Sequence, residues 1–171
     1  MATDIAKQLI YDLRNDAHTR EHFSIVNWHG KNTCGTVGCI AGTAVYRDKQ
    51  TSEDRHIAEI LKEENGNFFI DKGQEILGIP YRETARHLFI PTAWIDDLRY
   101  EHEPFDFLPA QAQPVLDTVN DMKQWAETFR MYSYTESMRM LNKPDMCANA
   151  LEQVTVEELP YVNWKRAYEN A

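Results

Sequence analysis

Seven prolines, at positions 80, 91, 104, 109, 114, 144 and 160, cut the chain from residue 80 onward into short pieces. Proline has no N–H, and its ring clashes with the preceding turn, so it is tolerated only in the first turn of a helix or outside one. The pieces between the prolines are therefore short helices and turns. Gly78 followed by Pro80 stops a helix. "YRETARHLF" is a short helix bounded by Pro80 and Pro91, and "TAWIDDLRY" is another. Pro114 suits the first position of a longer helix carrying Val115, Leu116, Val119, Met122 and Phe129. Pro144 opens a last helix that runs to about Val154. "EHEPFDFLP" is a loop with aromatic anchors, and "MYSYTESMRMLNK" reads either as helix or as loop.

The first half has fewer stops and is read from periodicity. Thr3 caps a helix over Asp4 to Asn15, with Ile5, Leu9, Ile10 and Leu13 on one stripe. Asp16 to Glu21 is polar and ends that helix or forms a loop. "FSIVNW" is short, apolar and β-branched, which suits a strand or an extended segment. Gly30 turns the chain, and a helix is expected over about Thr36 to Arg47. Ser52 caps a further helix with Ile57, Ile60 and Leu61 inward, "NGNFF" breaks it, and Asp71 with Gln74 forms a capping-box-like start for the next. Together these features predict a mainly α protein: one compact, irregular helical domain over 1–171 with little or no β. A chain of 171 residues is long enough to bury a core without staples.

Charge and motifs exclude several functions. The net charge of −9 comes with no basic patch, so direct nucleic-acid binding is not expected. The acidic surface keeps the chain soluble or faces a basic partner. No apolar run approaches the ~18 residues of a membrane span, and the N-terminus lacks the apolar core of a signal peptide. Three cysteines do not make a disulfide framework. A reducing cytoplasm follows, with no membrane association. No phosphate-binding or dinucleotide glycine motif occurs, and no cofactor is expected.

The chemistry that remains lies in "NTCGTVGCIAG", Asn32 to Gly42. A cysteine just before a helix start is stabilised as thiolate by unpaired N–H groups and the positive helix end. Cys34 is then a candidate nucleophile, and His29 becomes its base if the chain doubles back at Gly30. Trp28, Gly35, Thr36 and Gly38 are the candidate ligand-binding residues, the glycine amides serving as an oxyanion site. The plainer reading is structural. Gly38, Ala41, Gly42 and Ala44 form a smooth helix face against which another backbone packs, and Cys39 is a small buried hydrophobe. A zinc site lacks a second ligand pair, since Cys147 stands apart, so no metal is expected. "HTREH", His18 to His22, matches an inverted zinc-protease pattern. It falls where the first helix is ending, and a surface histidine pair is preferred. His56 and His87 are expected to be exposed or capping.

The run Cys34-Gly-Thr-x-x-Cys39-Ile-Ala-Gly42-x-Ala44, preceded by a Trp-bearing segment, resembles a scattered family of bacterial and bacteriophage proteins of uncharacterised function. Leu77, Gly78 and Ile79 followed by Leu88 and Phe89 match its "LG(L/I)…LF" segment, and "ALEQV" and "YVNW" match its ending loosely. Thr43 departs from the pattern, which favours an aromatic residue or histidine there. The resemblance implies that Cys34, Gly35, Thr36, Cys39 and Gly42 form one unit, and it implies no activity.

The leading functional expectation is a non-enzymatic, acidic accessory protein, in one form phage-encoded, that binds a host protein or a small ligand. Exposed aromatics in "YEHEPFDF" and "RMYSY" would anchor the partner. A DNA mimic is a variant, although the acids are dispersed. The alternative is a cysteine-dependent hydrolase or acyl transferase with Cys34 as nucleophile.

Overall fold

The computed structural model describes residues 2–23, 30–32, 35–37, 39–50, 66–141 and 143–171. Among these the chain forms α1 (Asp4–Asn15), α2 (Ala17–His22), a small antiparallel hairpin of β1 (Gly30–Asn32) and β2 (Gly35–Val37), and α3 (Ile40–Gln50). Then come α4 (Gly66–Leu77), α5 (Arg82–Phe89), α6 (Pro91–Tyr100), α7 (Leu116–Glu127), α8 (Tyr134–Leu141), α9 (Pro144–Thr155) and α10 (Trp164–Glu169). Short 3-10 turns cover Ala110–Ala112 and Thr128–Met131. The protein is mainly α, as its proline spacing requires. No described helix is long and apolar enough to cross a membrane.

The Thr3 hydroxyl caps α1 by accepting from the Ala6 N–H at 3.1 Å, and Ala6, Leu9, Ile10 and Leu13 bury one face. That face packs on α9, and a polar seam flanks it. Arg14 forks onto Glu152 (2.6 and 3.2 Å) and reaches Asn149, while Arg20 pairs with Asp145 (2.6 and 3.1 Å). Arg20 also donates to the Leu13 carbonyl at 2.7 Å, so it covers the electronegative end of α1 with positive charge.

On the other side of the core α3 packs against α4 through small residues. Ala41, Gly42 and Ala44 are buried, and a Cβ on Gly73 of α4 would lie 2.9 Å from the Phe89 ring and 3.1 Å from the Ala41 Cβ. Helix α4 stops at Gly78, whose φ of 70° glycine adopts without the Cβ strain of other residues. The Ile79 N–H then bonds to the Gln74 carbonyl at 3.0 Å.

The C-terminal segment 159–163 is strapped over α5, α6 and α9 by side chains that reach backbone carbonyls. Thr84 donates to Pro160 (2.5 Å) and Trp94 to Val162 (3.0 Å). Gln153 brackets the Asn163 backbone with two bonds (2.8 and 3.1 Å). Just beyond, the Trp164 indole donates to the His87 carbonyl at 2.8 Å, one of the last-turn groups that α5 cannot satisfy itself.

Several boundaries differ from the sequence reading. The polar stretch after α1 is a helix of its own, because the Asp16 carboxylate caps it by accepting from the Thr19 N–H at 2.7 Å. The helix expected from Thr36 begins only at Ile40, since Gly35–Val37 pair as strand. The helix expected to start at Asp71 starts earlier, at Gly66, so "GNFF" is its first turn with Phe69 buried, and Asp71 is mid-helix and bonded to Arg82 at 2.8 Å. The Pro144 helix is not the last, since Asn163 caps α10. The proposed strand at 24–28 and the helix starting at Ser52 lie outside the described residues.

Candidate functional site

Cys34, His29, Trp28 and Gly38 lie outside the described residues. Gly35 and Thr36 belong to β2, where Gly35 pairs with Asn32 and Thr36 with Lys31. The helix expected to start just after Cys34 begins at Ile40. The thiol that sits at this helix start is Cys39. Its Sγ accepts from the Gly42 N–H at 3.4 Å, and its carbonyl accepts from the Thr43 N–H at 2.9 Å. Burial outweighs these contacts and pushes the Cys39 thiol up to about 11, so it is inert rather than activated. Cys147 in α9 is also raised by burial and by its proximity to Cys39. Both thiols are free and buried.

The histidines of "HTREH" do share a helix face: their rings are 4.3 Å apart on α2, and the His22 Nδ1–H donates to the His18 carbonyl at 2.8 Å. The two side chains are not joined by a third ligand among the described residues.

The one described cluster of metal-competent side chains was not marked out from sequence. It comprises Glu83, His87 and Asp97, whose ligand atoms all lie within 4.8 Å of one another. Helices α5 and α6 meet at a single residue, Ile90, with Pro91 opening the second helix. This tight corner sets Asp97 against His87, with Nε2 to Oδ2 at 2.6 Å. The same Asp97 oxygen accepts from Arg86 Nη1 at 2.8 Å, and Arg86 also holds Glu83 at 3.1 Å. Burial alone would raise the Asp97 carboxyl, but the bonds from His87 and Arg86 prevail and hold it below its ordinary value. The carboxylate has no proton to give, so His87 Nε2 carries the hydrogen. The expectation that His87 is exposed is thus overturned: it is 1% exposed, packed edge-on to Phe107 at 5.9 Å.

Two chemistries can be tested against this geometry. A divalent cation fits poorly, because the Arg86 guanidinium already lies between the two carboxylates and supplies their positive charge. Histidine catalysis needs a nucleophile within reach of the second ring nitrogen. His87 Nδ1 is buried and has no hydrogen-bond partner among the described residues, so none of their hydroxyls or thiols is placed there. The cluster fastens the α5–α6 corner. A groove of about 540 Å³ beside it is bordered by Gly66, Asn67, Ile70, Arg82, Glu83 and Arg86. Its charged groups are already paired: Arg82 with Asp71 and Asn67, Arg86 with Glu83.

The surface shows the clearer departure from a closed fold. An aromatic run leads outward from buried Trp94 to Trp125 (5.9 Å), then to Phe129 (4.9 Å) and Tyr132 (6.2 Å), with Tyr168 on the far side of Trp125 (5.7 Å). At its outer end Met131 is 87% exposed and Tyr134 is 62% exposed. The aromatics of the other stretch behave differently. Phe105 is buried and Phe107 half-buried, and only Tyr100 stands free of the core, under the Arg99 guanidinium at 4.9 Å.

The chain matches no protein-family model, no curated protein and no solved structure.

Proposed function

We propose that this chain is a non-enzymatic accessory protein that acts by binding another protein, with Met131, Tyr132 and Tyr134 as its anchors. The bacterial or bacteriophage origin suggested by the Cys34–Ala44 run belongs to the same proposal, with a host protein as the partner and the cytoplasm as the compartment. The observation that carries it is the exposed end of the aromatic run. Large apolar side chains at a protein–protein interface do most when they are rigid before binding, because little rotamer freedom is then lost. Tyr132 is backed by Phe129, and Phe129 by Trp125 and Trp94, so this surface is held from the core outward. The chemistry of the interior supports the same reading, because the His87–Asp97 pair is closed by Arg86 and buried.

The test is a photo-crosslinking amino acid placed at Met131, with the same group at exposed Glu169 as control, in bacterial cells. The expected result is a discrete crosslinked product from position 131 that disappears on Tyr132→Asp. Position 131 giving only the control's diffuse background, in several bacterial hosts, would sink the proposal.

A further inference from the structure

A second surface lies at the opposite end of α7. The turn at 102–106 and the start of α7 enclose a notch of about 260 Å³, walled by Pro104, Phe105, Pro114, Leu116 and Val119. We propose that this notch docks a segment of a partner protein that presents one large apolar side chain flanked by lysine or arginine. The proposal rests on the reading of the chain as a binding protein and names the chemistry of what a second face would bind.

Size comes first. Pockets for small molecules run from about 300 to 1,000 Å³, so this volume suits a single side chain better than a free ligand. The notch is also preformed. Phe105 is buried and packs on Tyr161 (5.5 Å) and Phe107 (6.4 Å). Gln113 Nε2 donates to the Leu108 carbonyl at 3.1 Å, and Lys123 Nζ reaches the Glu101 and His102 carbonyls at 3.4 and 3.2 Å.

Next, the residues at its lip break a local rule. Helix α7 has Val115 at the N-cap, with no side-chain cap, and Leu116 at the first helical position. Ser, Thr, Asp or Asn is strongly preferred at the cap. Instead two apolar residues stand there, Leu116 being 71% exposed. Other helices of this fold also lack a side-chain cap, so what sets this end apart is the exposure of both apolar residues, Val115 at 69% and Leu116 at 71%.

Charge then selects the occupant. Glu103 and Asp106 line the notch and are exposed, and the neighbouring Glu101 and Asp117 are exposed too. Lys123, held on the Glu101 and His102 carbonyls, keeps its one positive charge against these four carboxylates, so the rim is net acidic. A basic flank on the partner complements it and speeds the encounter, whereas a nucleic acid is repelled.

The full-length chain would be titrated, by fluorescence anisotropy, with three dye-labelled peptides. One has a central tryptophan between lysines and arginines. In the second the tryptophan is serine, and in the third the flanks are glutamate. The basic tryptophan peptide is expected to bind at least about tenfold tighter than the other two. Leu116→Glu, and separately the pair Glu103→Lys and Asp106→Lys, should each weaken it about tenfold. Glutamate at the first position of α7 favours the helix, so the fold is kept, and circular dichroism checks this. Asp4→Asn, which removes one exposed charge from α1, should leave peptide binding unchanged. Crosslinking from position 131 is read on a separate surface, so it fails or succeeds independently of this test. Equal binding of the serine peptide, or wild-type affinity in Leu116→Glu, would mean attraction by net charge alone and would overturn the proposal. So would a dimer in sedimentation that Leu116→Glu dissociates, since the notch would then be a self-interface.

Discussion

Asp97 ties two helices together at the edge of the core. One of its oxygens accepts from both His87 and Arg86, joining α6 to α5 beside the carbonyl that Trp164 uses. Burial opposes its charge, and the two hydrogen bonds overcome that opposition, so its carboxyl is held below the ordinary value. A carboxyl depressed in the folded state stabilises the fold at pH values above its unfolded pKa of about 3.9. That contribution is lost as pH falls through the lower folded value. Asp145 and Glu152 are depressed in the same way, by hydrogen bonds from Arg20 and Arg14 respectively, so acid weakens the α1–α9 seam as well. Asp97→Asn keeps the shape but removes the charge facing Arg86. It should cost about 1–3 kcal/mol at neutral pH, less than the ~3–5 kcal/mol for breaking a fully buried pair, because Arg86 is partly in water. It should also narrow its gap to wild type below pH 4 or so, because the wild-type carboxylate is then protonating. Urea unfolding at neutral and acid pH reads both effects. A gap that stays constant through the acid range would show that the Asp97 charge is not what joins these helices.

At the scale of elements, the contact between α3 and α4 depends on side chains that are nearly absent. Gly73 lies where α3, α4 and the Phe89 ring converge, and its missing Cβ sets the spacing. Gly73→Ala gains helix propensity worth up to about 1 kcal/mol. It also overpacks a contact of 2.9 Å against a fully buried ring, at a cost of about 1–3 kcal/mol. The net expectation is a loss of about 1 kcal/mol in urea, and a gain instead would show that Phe89 moves aside freely. The sequence displayed this contact only in part: the small face of α3 could be read from Ala41, Gly42 and Ala44, but not the helix it meets. Prolines announced α5, α6 and α9 because their effect is local. Helix α8 has a local signal too, Ser133-x-x-Glu136, realised as a reciprocal pair of bonds at 2.8 and 3.2 Å. It was hidden by the aromatic and polar mixture around it. The start of α4 was missed because Asn and Phe residues look like an interruption until Phe69 finds the core. The His87 site was not legible at all. Its burial depends on Asp97, ten residues on, coming back across a one-residue corner, and that is a tertiary event.

For the whole molecule, the buried thiols report which parts open together. Apolar residues from nearly every described helix share one core, and Cys39 and Cys147 both belong to it. Cys39 lies at the start of α3, beside the small hairpin, whereas Cys147 lies in α9, flanked by buried Met146 and Ala148. Their thiols are raised by burial, Cys39 to about 11, so neither is nucleophilic in the native state near neutral pH. Labelling must then await opening, and the free energy of opening ranges from near zero at frayed edges to the global value in the centre. Maleimide labelling at pH 8, followed residue by residue by mass spectrometry, should find Cys147 reacting only at the rate of global unfolding. Cys39 should be equally slow if α3 opens with the core. If Cys39 labels faster while Cys147 stays protected, α3 opens as a separate unit and the Gly73 contact is weaker than its geometry implies. Cys34 can be followed in the same experiment. The thiol-enzyme reading requires it to react rapidly below neutral pH, and slow labelling there would count against that reading and for the binding function proposed above.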